Sequence, residues 1–289
     1  MLRVEYEMKQ IVVISGKGGT GKTVLVASFA ALARNAVFAD CDVDASNLHL
    51  LLKPKIKKRY EFRSGKTAKI DKNLCQECGK CADICRFNAV RKDWTIDSIS
   101  CEGCAICSHI CPANAITMEE NISGEWFISQ TKYGLMVHAK LGIAEENSGK
   151  LVTEVRQEAK RIAEEKNKDY VIIDGPPGIG CPVTASLANV DVALIVTEPT
   201  LSGIHDMERI ADVAKHFNIC AKVVINKYDI NLENTKNINK ICRDRNIEIL
   251  AQLNFSEDVI NSLVNGIPIV EYCNNQITKD IVALWEKIK

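Results

Sequence analysis

The chain contains 13 cysteines, and eight of them fall between positions 75 and 111 in two spaced runs. The first run is Cys75-x2-Cys78-x2-Cys81-x3-Cys85; the second is Cys101-x2-Cys104-x2-Cys107-x3-Cys111, followed by Pro112. Thiolates at this spacing hold [4Fe–4S] cubes, with three close cysteines wrapping one cube and the fourth reaching across to the other. The spacing therefore predicts one cube on Cys75, Cys78, Cys81 and Cys111, and a second on Cys101, Cys104, Cys107 and Cys85. A disulfide framework fits poorly, because no secretory signal precedes the runs and a reducing cytosol keeps such thiols free. Zinc ribbons use C-x2-C pairs with a longer gap, which leaves the third and fourth cysteine of each run unexplained. Arg86 stands where the motif has proline after Cys85, and its charge bears on cube lability more than on ligand identity.

A second chemistry lies upstream. Ile11-Val12-Val13-Ile14 is a short apolar run that leads into Ser15-Gly16-Lys17-Gly18-Gly19-Thr20-Gly21-Lys22-Thr23, and a helical pattern follows from Val24 to Arg34. Gly16-x4-Gly21-Lys22-Thr23 is a phosphate-binding loop in its required strand–loop–helix setting. Its backbone N–H groups would converge on phosphate oxygens, aided by the helix dipole. Lys22 would reach the β- and γ-phosphates of ATP, and Thr23 would hold Mg²⁺. Tyr170-Val171-Ile172-Ile173-Asp174 is a matching apolar strand whose Asp174 completes the Mg²⁺ shell.

These residues carry a resemblance. The extra lysine in Lys17-Gly18-Gly19-x-Gly21-Lys22-Thr23 resembles the deviant phosphate loop of the MinD/ParA ATPases, a family that includes the nitrogenase iron protein. Cysteine runs placed after Asp40-Cys41-Asp42 look like the subgroup of that family with an inserted ferredoxin domain. The resemblance implies a homodimer in which Lys17 contacts phosphates bound by the other subunit. It also implies that Asp42 orients the attacking water, that Asp40 supports the magnesium, and that Gly178 senses the γ-phosphate. Asn226, at the end of Val223-Val224-Ile225-Asn226, would read the adenine, the alternative being an ordinary turn residue. Cys181, seven residues after Asp174, matches the offset of a cluster-ligating cysteine in the nitrogenase iron protein. That relative uses two cysteines per subunit, and here none lies between Cys111 and Cys181, so the speculative role of Cys181 is to hold or pass on iron–sulfur material across a dimer. The plainer reading is a small buried hydrophobe, which is also expected of Cys41, Cys220, Cys242 and Cys273.

The elements must place these groups together. Strand patterns at Ala36–Ala39, Tyr170–Ile173, Val192–Thr197, Lys222–Ile225 and Glu248–Leu253 alternate with helical stretches, including Gly149–Lys166. That alternation predicts an α/β fold, a mostly parallel sheet flanked by helices, with ligands beyond the carboxyl ends of the strands. An ATPase domain of residues 8–52 and 121–289 is expected around a small α+β ferredoxin-like insert at 53–120. Met1–Glu7 precede Met8 as an upstream start or tag and are set aside. Asp44 reads as a cap for a helix over Ala45–Leu52.

At 289 residues, 46% apolar, 26% charged and with zero formal charge, the chain reads as a cytoplasmic protein without affinity for nucleic acid or membrane. The basic stretch from Lys53 to Lys69 reads as a solvated strand or hairpin rather than a docking face. The five histidines form no spacing pattern, and Ile277, Ile281, Leu284, Trp285 and Ile288 mark a C-terminal helix packed on the sheet.

Three functions follow as expectations. The first is a Mg²⁺-dependent ATPase that couples nucleotide state to electron transfer with a redox partner. The second is assembly or delivery of iron–sulfur clusters or metallocofactors to a client. The third is a non-redox switch of the ParA/MinD kind.

Overall fold

The computed structural model describes residues 8–142 and 148–289 and divides them into two compact units. The segment set aside at the N-terminus, Met1–Glu7, lies outside the described residues.

In the first unit, strands Lys9–Ser15 (β1) and Ala36–Asp40 (β2) flank helix Lys22–Leu32 (α1), and a short helix Leu48–Leu52 (α2) follows. Strand Lys55–Ile70 (β3) then leaves for the second unit, which holds helices Lys80–Ile84 (α3) and Ile106–Ile110 (α4). Strand Ile116–Gln130 (β4) returns from it. The first unit resumes with Leu135–Leu141 (β5), Ser148–Glu165 (α5), Tyr170–Pro177 (β6), Cys181–Leu187 (α6), Val192–Thr197 (β7) and Leu201–His216 (α7). Cys220–Asn226 (β8), Leu232–Asp244 (α8), Glu248–Leu253 (β9), Glu257–Asn265 (α9), Ile269–Tyr272 (α10) and Gln276–Ile288 (α11) complete it. The strands are ordered β3-β4-β5-β2-β6-β1-β7-β8-β9, and the pairings of β5, β2, β6, β1, β7, β8 and β9 are parallel.

The central strands are continuously apolar because helices cover both faces. Every residue of β7 is buried, as is every residue of β1 after Lys9. Register then sets the site: Asp40 pairs with Asp174 on adjacent strands, and Val13 pairs with Asp174 on the other side. Both carboxylates therefore reach the carboxyl edge of the sheet at the same height as the phosphate loop.

Helix α1 is enclosed on most sides, with Leu25, Val26, Ala27, Ser28, Phe29 and Ala30 all buried. Its cover on one side is α11, where Trp285 lies 5.3 Å from Phe29 and 5.4 Å from Tyr170, centroid to centroid. The apolar stripe read from the sequence thus packs inward, and Asn275 caps α11 by accepting from the Thr278 N–H. Among the described residues no helix is long and apolar enough to cross a membrane.

Three expectations shift. Helix α2 starts at Leu48 behind Asn47, so Asp44 is not its cap. Residues 41–47 instead form a loop pinned by Ser46, whose hydroxyl donates to Asp40 Oδ2 at 2.5 Å. Cys220 opens β8 at an exposed edge, and Cys273 is half-buried, whereas Cys41 and Cys242 are core residues as expected. The second unit comprises 60–125 with Leu141 and Gly142, because Lys55–Arg59 and Trp126–Gln130 still belong to the first.

That second unit has a small core of Ala68, Cys81 and Ile116, padded by Ile70, Val90, Ile96, Met118 and three further cysteines. Its two halves repeat. Each short helix follows a left-handed residue, Gly79 or Ala105, and each fourth cysteine is followed three residues on by a left-handed asparagine, Asn88 or Asn114. The basic stretch forms the largely exposed strand β3, as its charges suggest.

Candidate functional site

Lys22 and Thr23 open α1 at the carboxyl edge of β1. Lys22 is buried, and its charge reaches both Asp42 and Asp174. Asp174 is buried, hydrogen-bonds with the Thr23 hydroxyl, and keeps Oδ1 without any partner. Asp40 is also buried and accepts from Ser46 Oγ and, at 3.2 Å, from the Asp42 N–H.

Burial raises the pKa of both carboxyls above the usual range, and at Asp174 the charge of Asp40 raises it further. Burial likewise raises Asp42, opposed by the Lys22 charge. An orphaned buried carboxylate oxygen beside a threonine hydroxyl, with a second acid on the adjacent strand, is a donor set that fits Mg²⁺. Thr23 and Asp174 would hold the ion, and Asp40 would support them.

The rim residues behave differently, since three of them are engaged within the subunit. Lys17 Nζ donates to Thr200 Oγ1 at 3.3 Å and lies 3.5 Å from Glu198 Oε2, while Lys227 Nζ holds the other Glu198 oxygen at 2.6 Å. The Gly178 N–H donates to the Ser15 carbonyl at 2.9 Å, and its φ of 94° is one that only glycine adopts freely. Asn226 Nδ2 donates to the Thr20 carbonyl at 2.9 Å, and Oδ1 accepts from the Lys227 N–H at 3.0 Å. Asn226 here braces the phosphate loop. Gly18 and Gly19 are exposed, and the hydroxyl of Thr20 is buried without a partner.

Sequence reasoning missed Ser46, Glu198, Asp206 and Arg156. Asp206 packs so closely on Gly16 that an added Cβ there would meet its side chain at 1.9 Å, which explains the glycine. None of the four lies in a motif; Glu198, Asp206 and Arg156 arrive from distant parts of the chain, and Ser46 from the turn of the loop that follows β2. Two histidines also meet: His138 is stacked on Phe127 at 5.1 Å and bonded to Ser129 Oγ at 2.9 Å. Burial, with a smaller push from His49, lowers its pKa to about 4, so it is a neutral packing residue.

In the second unit the cysteines gather around two cavities. A small cleft of about 20 Å³ is lined by Cys75, Cys78, Cys81 and Cys111; another of about 390 Å³ is lined by Cys85, Cys101, Cys104 and Cys107. These are the two quartets that the spacing pairs. Backbone N–H groups point at sulfur, from Glu77 to Cys75 at 3.4 Å, Ala89 to Cys85 at 3.4 Å and Ala115 to Cys111 at 3.3 Å. Such bonds suit thiolate ligands. Burial raises the pKa of Cys81 and Cys107, and neighbouring thiols add to it. Among the described residues no three His, Cys, Asp or Glu side chains stand close enough to share a single metal ion. A cube distributes its thiolates over four irons, so its ligands stand wider apart than those of one ion. Arg86 lines the larger cleft. Cys181 is exposed at the start of α6.

The sequence matches the model of the CobQ/CobB/MinD/ParA nucleotide binding domain over residues 11–269. It is 37% identical to an uncharacterized protein of Methanocaldococcus jannaschii across 97% of this chain and 96% of that one. It is 29% identical to the septum site-determining protein MinD of Thermotoga maritima over 42% of this chain and 47% of the relative. Among solved structures, MinD of Pyrococcus horikoshii with Mg-ADP superposes with a TM-score of 0.61 at 18% identity, covering 98% of this chain and 96% of that chain. The likeness of shape speaks for the fold, and the sequence match for descent. This chain belongs to the CobQ/CobB/MinD/ParA nucleotide-binding family.

Proposed function

We propose that the protein is a Mg²⁺-dependent ATP-binding and hydrolysing switch that works as a homodimer. The observation that carries this reading is the buried meeting of Lys22, Thr23, Asp40 and Asp174, with one Asp174 oxygen left unpaired. Mg²⁺ held there would neutralise phosphate charge. Lys22 and the loop N–H groups bind the phosphates, and Asp42 orients the attacking water. Lys17, Gly178 and Asn226 are the parts that change partner. Lys17 leaves Glu198 to contact phosphates across the dimer, and the Gly178 N–H leaves Ser15 to meet the γ-phosphate. Asn226 has one amide hydrogen remaining for the adenine. The test is ATP turnover and nucleotide-dependent dimerisation of the purified protein. Absence of both with Mg²⁺-ATP at millimolar concentration sinks the reading.

The relatives favour a plain nucleotide switch. A second reading adds two [4Fe–4S] clusters to that switch, on Cys75, Cys78, Cys81 and Cys111 and on Cys101, Cys104, Cys107 and Cys85. What favours it is the lining of the two cavities by those same quartets. The clusters would supply one-electron chemistry to a redox client, and cluster or metallocofactor delivery is the alternative use, with exposed Cys181 as its transfer point. Anaerobic iron analysis, and redox titration with and without ATP, separates these from the plain switch.

A further inference from the structure

We infer that Arg156 is a positioning residue that makes α5 and α6 move as one body when the Gly178 switch changes state. This rests on the ATP-switch reading. Helix α6 begins three residues after Gly178, so only Ile179 and Gly180 separate the switch from that helix. Its carbonyl end is not left to water. From α5, Arg156 donates through Nη1 to the Ala185 carbonyl at 2.7 Å and through Nη2 to the Ala188 carbonyl. At the other end of α6 the helices also touch: an added Cβ on Gly149 of α5 would lie 3.5 Å from Cys181. The pair is stitched at both ends.

Arg156 is only 8% exposed, burial lowers its pKa, and among the described residues no carboxylate acts on it. A buried guanidinium without an ion partner is costly unless something else answers the charge. Here the negative end of α6 does so, through the last-turn carbonyls that a helix cannot satisfy itself. Its Nε–H still has no acceptor. The same charge exerts the strongest charge effect on the Cys41 thiol, which sits between Asp40 and Asp42. Arg156 thus stands behind the acid cluster while gripping the helix that follows the glycine switch. Shifting α6 alone would take the two carbonyls away from the buried guanidinium that they satisfy. Shifting α5 with it keeps all three satisfied.

The experiment is amide hydrogen exchange on the full chain, with and without Mg²⁺-ATP, comparing the native protein with Arg156→Met and Arg156→Lys. In the native protein, nucleotide is expected to change exchange in residues 148–165 and 181–187 together. In Arg156→Met the response in 181–187 persists and that in 148–165 falls at least threefold. Arg156→Lys, which keeps the charge and one donor group, should lie between. Nucleotide Kd should change less than twofold in either variant, while kcat falls about tenfold in Arg156→Met. A native protein whose α6 responds while α5 does not overturns the inference, and this outcome does not depend on either variant folding. Failure of nucleotide to bind the native protein overturns the ATP-switch reading instead.

Discussion

The two units hold their reactive groups by opposite means. In the first, Lys22, Asp40 and Asp174 are buried at the edge of strands that belong to the main core. In the second, the cysteines sit on loops and on the short helices α3 and α4 around a small apolar core to which Cys81 itself belongs, and Cys78 and Cys104 are exposed. The difference teaches where stability comes from. The nucleotide site is built by the fold itself; the cysteine unit has a much smaller apolar core, and on the two-cluster reading its order would depend on the clusters its thiols hold.

The largest test of that contrast is to remove the group. On the two-cluster reading, anaerobic protein would carry about eight irons per chain. Stripping them with a chelator should make residues 60–125 protease-sensitive while the first unit keeps its melting transition. Simultaneous collapse of both units breaks the contrast.

Next comes Trp285→Ala, which empties the junction of α11, Phe29 and Tyr170 and should cost about 3–5 kcal/mol in chemical denaturation. Iron content should not change. Slightly smaller is Asp174→Asn, expected to slow ATP hydrolysis by about 10²–10³, measured as phosphate release, with little effect on stability in the absence of magnesium.

The acid pair also gives a pH dependence. With Asp40 and Asp174 raised above the usual carboxylate range, the folded state keeps protons that the unfolded chain releases from about pH 4 upward. The unfolded state then binds fewer protons, so the stability of the metal-free protein falls as pH rises towards those raised values. Magnesium competes with the same protons and should bind more tightly as pH rises. Thermal melts from pH 5 to 8 with and without Mg²⁺-ATP would show the two curves diverging; parallel curves would count against the acid pair as the ion site. Smallest is Glu198→Gln, which weakens the hold on Lys17 and should favour dimerisation by no more than about 1 kcal/mol, read by sedimentation with ATP.

Much of the fold and of the phosphate loop was legible in the sequence because a phosphate loop is a local motif with fixed spacing, and spacing likewise groups the cysteines that line the two clefts. Gly16 to Thr23, Asp174 and the cysteine quartets announce themselves. The strands did so too, since two-sided burial makes them continuously apolar. What stayed hidden depends on register between distant segments. Nothing near Glu198 tells that it will meet Lys17, nor near Arg156 that it will cap α6. Asp44 misled because a capping residue and a loop aspartate look alike until Ser46 turns toward Asp40. Cys220 misled because an apolar strand pattern does not mark which end meets solvent.

The route by which the chain leaves and re-enters the first unit has a practical corollary. Strands β3 and β4 are neighbours in the sheet order, and the boundary falls after Arg59 on the way out and before Trp126 on the way back. A short turn joining those two positions would excise the cysteine module and leave the remaining strands in order. Such a truncated chain, set beside the full one, would test whether the proposed ATPase cycle needs that module at all.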